Sequence, residues 1–376
     1  MGSEMCIRDR RIEAELQRLA EQVELRNRFI RETFGRYLTD EVVDAVLESP
    51  AGLQMGGEKR KVTMVMADLR GFTSLSERLP PERVVAMLNR YLAAMVSVIK
   101  KYNGTIDDFV GDAIFALFGA PVWKEDDAER AVACAIAMQL AMDNINEQNR
   151  LENLPEIEMG IGVHTGQVVV GNIGSPERMK YDVIGSQVNL TSRIQSCTTG
   201  GQVLISETTR HEAGRILKLG RQMEVKAKGV EHPVTLFEVL GISGRHKLLL
   251  PDASEALVPL NSSIPFRYEI VESSQLGHEA HKGQLTKLSR KAAEAILDNP
   301  IDQLTNIRMQ LIHDGREVSG SLYAKVIDGV AGSGNSFYLR FTSVSLEIDR
   351  LFEAQIANPK MPAAPFQPSN GAGAVS

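Results

Sequence analysis

The sequence predicts three parts: an N-terminal coiled-coil helix, a layered domain of mixed strands and helices (α/β or α+β), and a small C-terminal β-barrel. Three observations predict it. Strand and helix patterns alternate between residues 58 and 240. Short apolar segments separated by Gly, Asp and Asn recur between 263 and 355. Near the N-terminus, Ile12, Leu16, Leu19 and Val23 stand at 4-3-4 spacing with charges between them, the pattern of an a/d seam, with a single amphipathic helix packed on its own domain as the alternative.

A chain of 376 residues has room for two or three such parts, and 43% hydrophobic with 24% charged residues is ordinary for a globular protein. A net charge of −6 implies no general affinity for nucleic acid. Cys6, Cys134 and Cys197 are far apart and form no CxxC pair, which fits a reducing compartment and excludes a disulfide scaffold. No apolar run approaches the ~20 residues needed to cross a bilayer, and the charged N-terminus lacks the apolar stretch of a signal peptide. A cytoplasmic chain is expected. Residues 1–10 read as an artefact or a truncated start, so a sensor domain, and any membrane tether, is expected upstream.

The elements follow in order. Residues 11–57 form the signalling helix: the seam meets Arg26, resumes at Ile30, Phe34 and Leu38, and a second short helix over 41–47 ends at Ser49-Pro50-Ala51-Gly52. Residues 61–67 are a strand and 81–101 a helix with Pro81 in its first turn. Residues 105–110 and 113–117 pair as a hairpin about Gly111-Asp112, and 126–148 form a long helix with an Ala/Met-rich inner face. Strands at 158–164 and 167–171 are expected to meet at a Thr-Gly turn. Then come a strand at 181–184, a helix at 186–195, and strands at 202–205 and 235–239. Residues 58–240 thus make one domain, 241–262 a turn-prone linker, and 263–355 a strand-rich domain with strands near 307–312, 319–327 and 336–342. The Pro/Ala/Gly-rich tail over 356–376 is expected to be disordered.

Asp68 and Asp112 each follow an apolar run that reads as a buried strand. A carboxylate there is costly to bury unless paired or bound to a cation. Taken singly, each is equally well explained as the cap of a following helix. Together, beside glycines that admit a phosphate to the backbone, they point to a divalent-metal pair clamping a polyphosphate. Asn189 and Arg193, four apart on a helix, share one face above Val188, Leu190 and Ile194. An amide and a guanidinium side by side suit a sugar hydroxyl and a phosphoryl oxygen, although alone they read as an exposed polar pair.

Asp68-x-Arg70-Gly71-Phe72-Thr73, Gly111-Asp112, Tyr181-Asp182-x-x-Gly185 and Val188-Asn189-x-x-x-Arg193 stand in the order and approximate spacing of class III nucleotidyl cyclases. The segments from Gly160 to Gly166 and from Val169 to Gly174 are also similar to that family. The resemblance covers residues 28–240. It implies an α+β, ferredoxin-like catalytic domain: an antiparallel-rich sheet with flanking helices. It further implies two Mg²⁺ or Mn²⁺ ions held by Asp68, Asp112 and the Leu69 carbonyl, and backbone N–H groups from Leu69 through Arg70, Gly71, Phe72 and Thr73 around the β- and γ-phosphates. Asn189 would orient the ribose, Arg193 would stabilise charge on the α-phosphoryl, and Lys226, with Lys228 as runner-up, would bind the triphosphate. Metal and Asn/Arg halves meet across a head-to-tail dimer in this family, so a homodimer with two shared sites is expected. Its reaction is in-line attack of the 3′-hydroxyl on the α-phosphorus of ATP or GTP, releasing pyrophosphate and a cyclic nucleotide for intracellular signalling.

Asp182 and Asp108 occupy the positions that resemble the family's base-selecting pair. Asp182 suits adenine, accepting from its 6-amino group. Asp108 stands where adenine selection uses lysine, and a carboxylate there accepts instead from guanine N1–H and the 2-amino group. The two demands conflict, so weak discrimination with a lean to ATP is expected.

The run Gly283–Ala293, with 322–327 and 338–342, is similar to PilZ domains, small barrels of which many bind cyclic di-GMP. Lys287 stands where that ligand motif has an acid or amide, Ala292 where it has Gly, and no Arg-x-x-x-Arg precedes, so cyclic di-GMP binding is not expected. A regulatory or dimer-supporting barrel is. The competing function is a non-catalytic cyclase-like module that binds nucleotide or only dimerises. A diguanylate cyclase would carry a Gly-Gly-(Asp/Glu)-Glu-Phe segment, which the sequence lacks.

Overall fold

The computed structural model describes residues 15–19, 21–25, 55–225, 233–251, 256–272, 275–276, 280–330 and 335–357. The chain divides into two compact units, Met1–Pro251 and Asp252–Ser376. Most of the expected coiled coil lies outside the described residues. Within it, 15–19 and 21–25 are helical, with Leu16, Leu19 and Val23 exposed.

The first unit is built on a strand whose residues are apolar on both faces. In β1 (Gly56–Leu69), Val65, Ala67 and Leu69 face one side and Val62 and Met64 the other, and all five are buried. A sheet covered on both faces explains why this run is continuous rather than alternating. β1 pairs antiparallel with β3 (Ala113–Phe118), which forms a hairpin with β2 (Thr105–Val110). On its other edge β1 pairs antiparallel with β4 (Met159–Ser175) over the whole span from Gly56↔Asn172 to Leu69↔Met159. β5 (Arg178–Ile184) folds back on the outer half of β4. β6 (Val203–Ser206) lies parallel to β4, and β8 (Val234–Ile242) and β7 (Leu217–Val225) complete the order β2-β3-β1-β4-β6-β8-β7, with β9 (Leu248–Leu249) on β8. The sheet is antiparallel but for one pair, as the α+β reading requires.

One face carries α2 (Pro81–Lys101) and α3 (Asp127–Leu151), which follow the five-residue α1 (Phe72–Ser76). Met87, Tyr91, Met95 and Ile99, at steps of four, form the buried stripe of α2. In α3 small residues, from Ala128 through Cys134 and Ala135, let the helix sink deep against its neighbours. The other face carries α4 (Ser186–Cys197), over a smaller cluster of Val62, Met64, Phe115, Leu117, Val168 and Val183. α5 (Glu207–Ala213) follows β6.

Three expectations differ from these elements. β4 is one strand, not two joined at Thr165-Gly166: Gly166 pairs with Val62 inside an unbroken ladder with β1. α5 and β7 were not expected. β10 (Val258–Glu272) begins inside the stretch 241–262 that reads as linker, because Pro259, Asn261 and the Ser262-Ser263 pair look turn-like yet sit on a bulged strand.

In the second unit, β10, β12 (His281–Leu288), β13 (Ala292–Leu297), β17 (Ser336–Val344), β16 (Leu322–Gly329) and β14 (Asn306–His313) pair in that order, and β14 pairs back to β10, closing a six-stranded barrel. Short strands β11 (Gln275–Leu276) and β15 (Arg316–Glu317) extend its edges. Alternating residues such as Phe266, Tyr268, Leu285, Met309, Ala324 and Leu339 fill it. The strand-rich reading missed α6 (Leu346–Ala357), which adds Ile348 and Phe352 to the same core, Phe352 stacking on Phe341 at 5.1 Å. Lys287 and Glu294 form an ion pair at 2.8 Å across the β12–β13 hairpin.

Candidate active site

The two aspartates singled out in the sequence meet. Asp68 stands at the penultimate position of β1, and Asp112 in the two-residue turn between β2 and β3. Gly111, at φ 66, takes the left-handed conformation that puts Asp112 second in this tight turn, with nothing within 4 Å of where its Cβ would be. Asp112 Oδ2 accepts from the Leu69 N–H at 3.1 Å, which ties the hairpin tip to the end of β1. Burial first, and the adjoining Asp68 second, hold the Asp112 carboxyl above its usual range.

That strain is the test of whether a cation fits. Two half-buried carboxylates pressed together are destabilised as charges unless a cation joins them. Among the described residues no third His, Cys, Asp or Glu completes a protein-only cage. Two carboxylates with a backbone carbonyl, leaving positions for phosphate oxygens, are the hard-oxygen donor set that Mg²⁺ or Mn²⁺ takes. The residues present fit the ions that the sequence implies.

Fewer backbone N–H groups are open to a phosphate than the sequence leads one to expect. The Leu69 N–H is engaged by Asp112, and the Arg70 N–H donates to Glu158 O at 2.7 Å. Gly71, Phe72 and Thr73 remain, at the start of α1. Gly71 is left-handed at φ 67, and no side chain caps this helix. Arg70 has a different task. Its side chain is buried, donates to Gln195 O at 2.9 Å and to Thr198 Oγ1, and lies 3.7 Å from Asp68. It couples the Asp68 end of β1 to the C-terminal end of α4. The sequence signal was available in Gly160: a Cβ there would stand 2.2 Å from Arg70 Nη2 and 2.0 Å from Thr198 Oγ1, so only glycine leaves room.

α4 lies close to β4 for a similar reason. Gly160, Gly162 and Gly166 share one face of the strand. A Cβ at Gly162 would meet the Gln195 backbone nitrogen at 2.4 Å, and one at Gly166 the Gln187 side chain at 2.8 Å. His164, on the same face, is buried between Gln187 Oε1 at 2.6 Å and Ser206 Oγ at 2.7 Å. With the amide oxygen facing it, Nε2 donates and Nδ1 accepts. Asn189 is exposed and Arg193 half-buried on the helix so anchored. Neither side chain has a hydrogen bond or ion pair with another described residue, and neither meets Asp68 or Asp112. Lys226 and Lys228 lie outside the described residues.

Asp108 and Asp182 are brought together by a residue that sequence reasoning missed. Lys180 on β5 reaches Asp108 at 2.9 Å and Asp107 at 3.3 Å on β2, and stands 3.7 Å from Asp182. A lone lysine on a strand reads as a solvated charge. Its partners lie more than 70 residues away on a strand with which β5 does not pair.

Residues 56–238 match the family model described as the adenylate and guanylate cyclase catalytic domain. Adenylate cyclase 1 of Rhizobium meliloti (strain 1021) is 34% identical over 212 residues, which cover 56% of this chain and 32% of that protein. The adenylate cyclase of Anabaena cylindrica is 32% identical over 221 residues, covering 55% and 43% respectively. The chain therefore spans less than half the length of these curated relatives. Among solved structures, that of the guanylyl cyclase Cya2 is 52% identical with a TM-score of 0.52, over 52% of this chain and 100% of that one.

Proposed function

The chain belongs, through residues 56–238, to the adenylate and guanylate cyclase family, and we propose that it is a homodimeric nucleotidyl cyclase that converts ATP or GTP into the 3′,5′-cyclic nucleotide and pyrophosphate. The observation that carries this reading is the junction of Asp68 and Asp112, two carboxylates held together at the end of a core strand by the Leu69 N–H.

In this reading Asp68, Asp112 and the Leu69 carbonyl hold two Mg²⁺ or Mn²⁺ ions. When bound, the ions lower the pKa of the 3′-hydroxyl and neutralise the departing pyrophosphate. The N–H groups of Gly71, Phe72 and Thr73 receive the terminal phosphates, together with Lys226. Arg70 is a positioning residue, holding Asp68 against the Gln195–Thr198 end of α4. Asn189 orients the ribose, and Arg193 donates to the α-phosphoryl oxygens as charge builds on them in the transition state. The unengaged side chains of Asn189 and Arg193, apart from the metal pair in one chain, support a site completed by a second copy. The relatives' names divide between adenylate and guanylyl cyclases. The barrel of the second unit is read as a regulatory or dimer-supporting module rather than a cyclic di-GMP sensor.

Purified protein incubated with ATP or GTP and Mg²⁺ or Mn²⁺ should release cyclic nucleotide and pyrophosphate. Asp68→Ala should reduce turnover by a factor on the order of 10³ or more, while its circular dichroism stays that of the wild type. A folded wild-type protein that turns over neither nucleotide belongs instead to the non-catalytic class.

A further inference from the structure

Asp108 and Asp182, considered as a pair, make incompatible demands on a purine: the first suits guanine and the second adenine. The structure places a third group between them. Lys180 Nζ donates to Asp108 Oδ2 at 2.9 Å and to Asp107 Oδ2 at 3.3 Å, and lies 3.7 Å from Asp182 Oδ2, beyond hydrogen-bond reach. An ammonium has three N–H donors, and two are taken. The third is available at an open face: the side chains of Lys180, Asp108 and Asp182 are 40%, 51% and 35% exposed. Below them the Asp107 side chain is 3% exposed, and its Oδ1 is buried without a partner among the described residues. This buried acid fixes the lysine from beneath, so the ammonium is positioned rather than swinging in solvent. Asp108 keeps accepting capacity, since among the described residues Oδ1 takes only the Phe109 N–H at 2.8 Å and Oδ2 only Lys180.

We propose that Lys180 selects the base, donating its third N–H to O6 of guanine while Asp108 accepts from N1–H and the 2-amino group, so that GTP is the preferred substrate. Guanine then meets donor with acceptor at each position. Adenine would set its 6-amino group against the ammonium and its N1 lone pair against the Asp108 carboxylate, two like-to-like encounters. Asp182, which alone would face O6 acceptor to acceptor, is shielded by the ammonium. This reverses the lean to ATP taken from the two aspartates alone, and it rests on the reading that the protein is a cyclase whose base lies at this face.

The test is kcat/KM for GTP and ATP with Mn²⁺, measured on the full chain as wild type, Lys180→Met and Lys180→Arg. The wild type should favour GTP by about 10-fold or more. Lys180→Met, which keeps the stem but has no donor, should lower the GTP:ATP ratio by about 10-fold or more, mainly through loss with GTP, and Lys180→Arg should restore most of it. Because the ratio comes from a single preparation, it does not depend on the folded fraction. A wild type that prefers ATP overturns the inference without any variant. An unchanged ratio in an active Lys180→Met protein also overturns it, while leaving the cyclase reading intact. Turnover of neither nucleotide by the wild type removes the cyclase reading and this inference with it.

Discussion

His164 shows how a single side chain sets a measurable property of the first unit. Its ring is buried between Gln187 and Ser206, and burial lowers its pKa below the ordinary 6.5. The folded state therefore holds the neutral imidazole. Below about pH 6.5 the unfolded chain binds a proton that the folded chain refuses, so this residue's contribution to stability is complete above that pH and declines as the solution is acidified through the lowered folded pKa. Urea unfolding at a series of pH values should show that decline in the wild type. In His164→Gln the fall between pH 7.5 and 5.5 should be shallower, and equal slopes in the two proteins would refute the assignment. At this scale the meeting of Asp68 and Asp112 was legible, because a carboxylate directly after an apolar run, as at Asp68, is conspicuous. Arg70 was legible only in part. The sequence suggested its backbone as a phosphate ligand, whereas the fold engages that N–H with Glu158 and gives the side chain to α4. Lys180 was not legible, since its partners come from a strand brought near by tertiary folding alone.

At the scale of elements, the glycines of β4 decide where α4 lies. A methyl group at Gly162 would stand 2.4 Å from the Gln195 nitrogen and 2.7 Å from its Cα, and backbone cannot swing aside as a side chain can. Gly162→Ala should therefore lift α4 from the sheet, costing about 1–3 kcal/mol in denaturant unfolding and reducing cyclase turnover by a larger proportion than stability explains, because Asn189 and Arg193 move with the helix. Turnover at the wild-type level would mean that this helix need not be held so closely. The same glycines explain why β4 read as two strands. Thr165-Gly166 has turn composition, but the residue serves a helix crossing the strand face, and the ladder to β1 runs through it unbroken. The barrel strands after residue 300 followed their apolar runs, whereas α6 did not: its Ile348 and Phe352 join the same core, so its apolar content resembles that of the strands.

At the scale of the molecule, the proposal draws the halves of the site from two copies, and this separates two kinds of defect. Asp68→Ala and Arg193→Ala homodimers should each be inactive, one for want of metal and the other of transition-state charge stabilisation. Mixed in equal amounts and allowed to exchange, they should regain about a quarter of wild-type turnover, since random pairing makes half the dimers mixed, each with one intact site of two. A mixture as inactive as its components would place both halves within one chain.

Lys180 and Asp182 on β5 run through Gly185 directly into the helix that bears Asn189 and Arg193. If the proposed site is shared as argued, a mixed dimer would inherit the nucleotide accepted at a site from one parent and its metal from the other. Two chains of this kind that differ only around residue 180 would form an enzyme with one site for each purine, its output divided by pairing rather than by any change in chemistry.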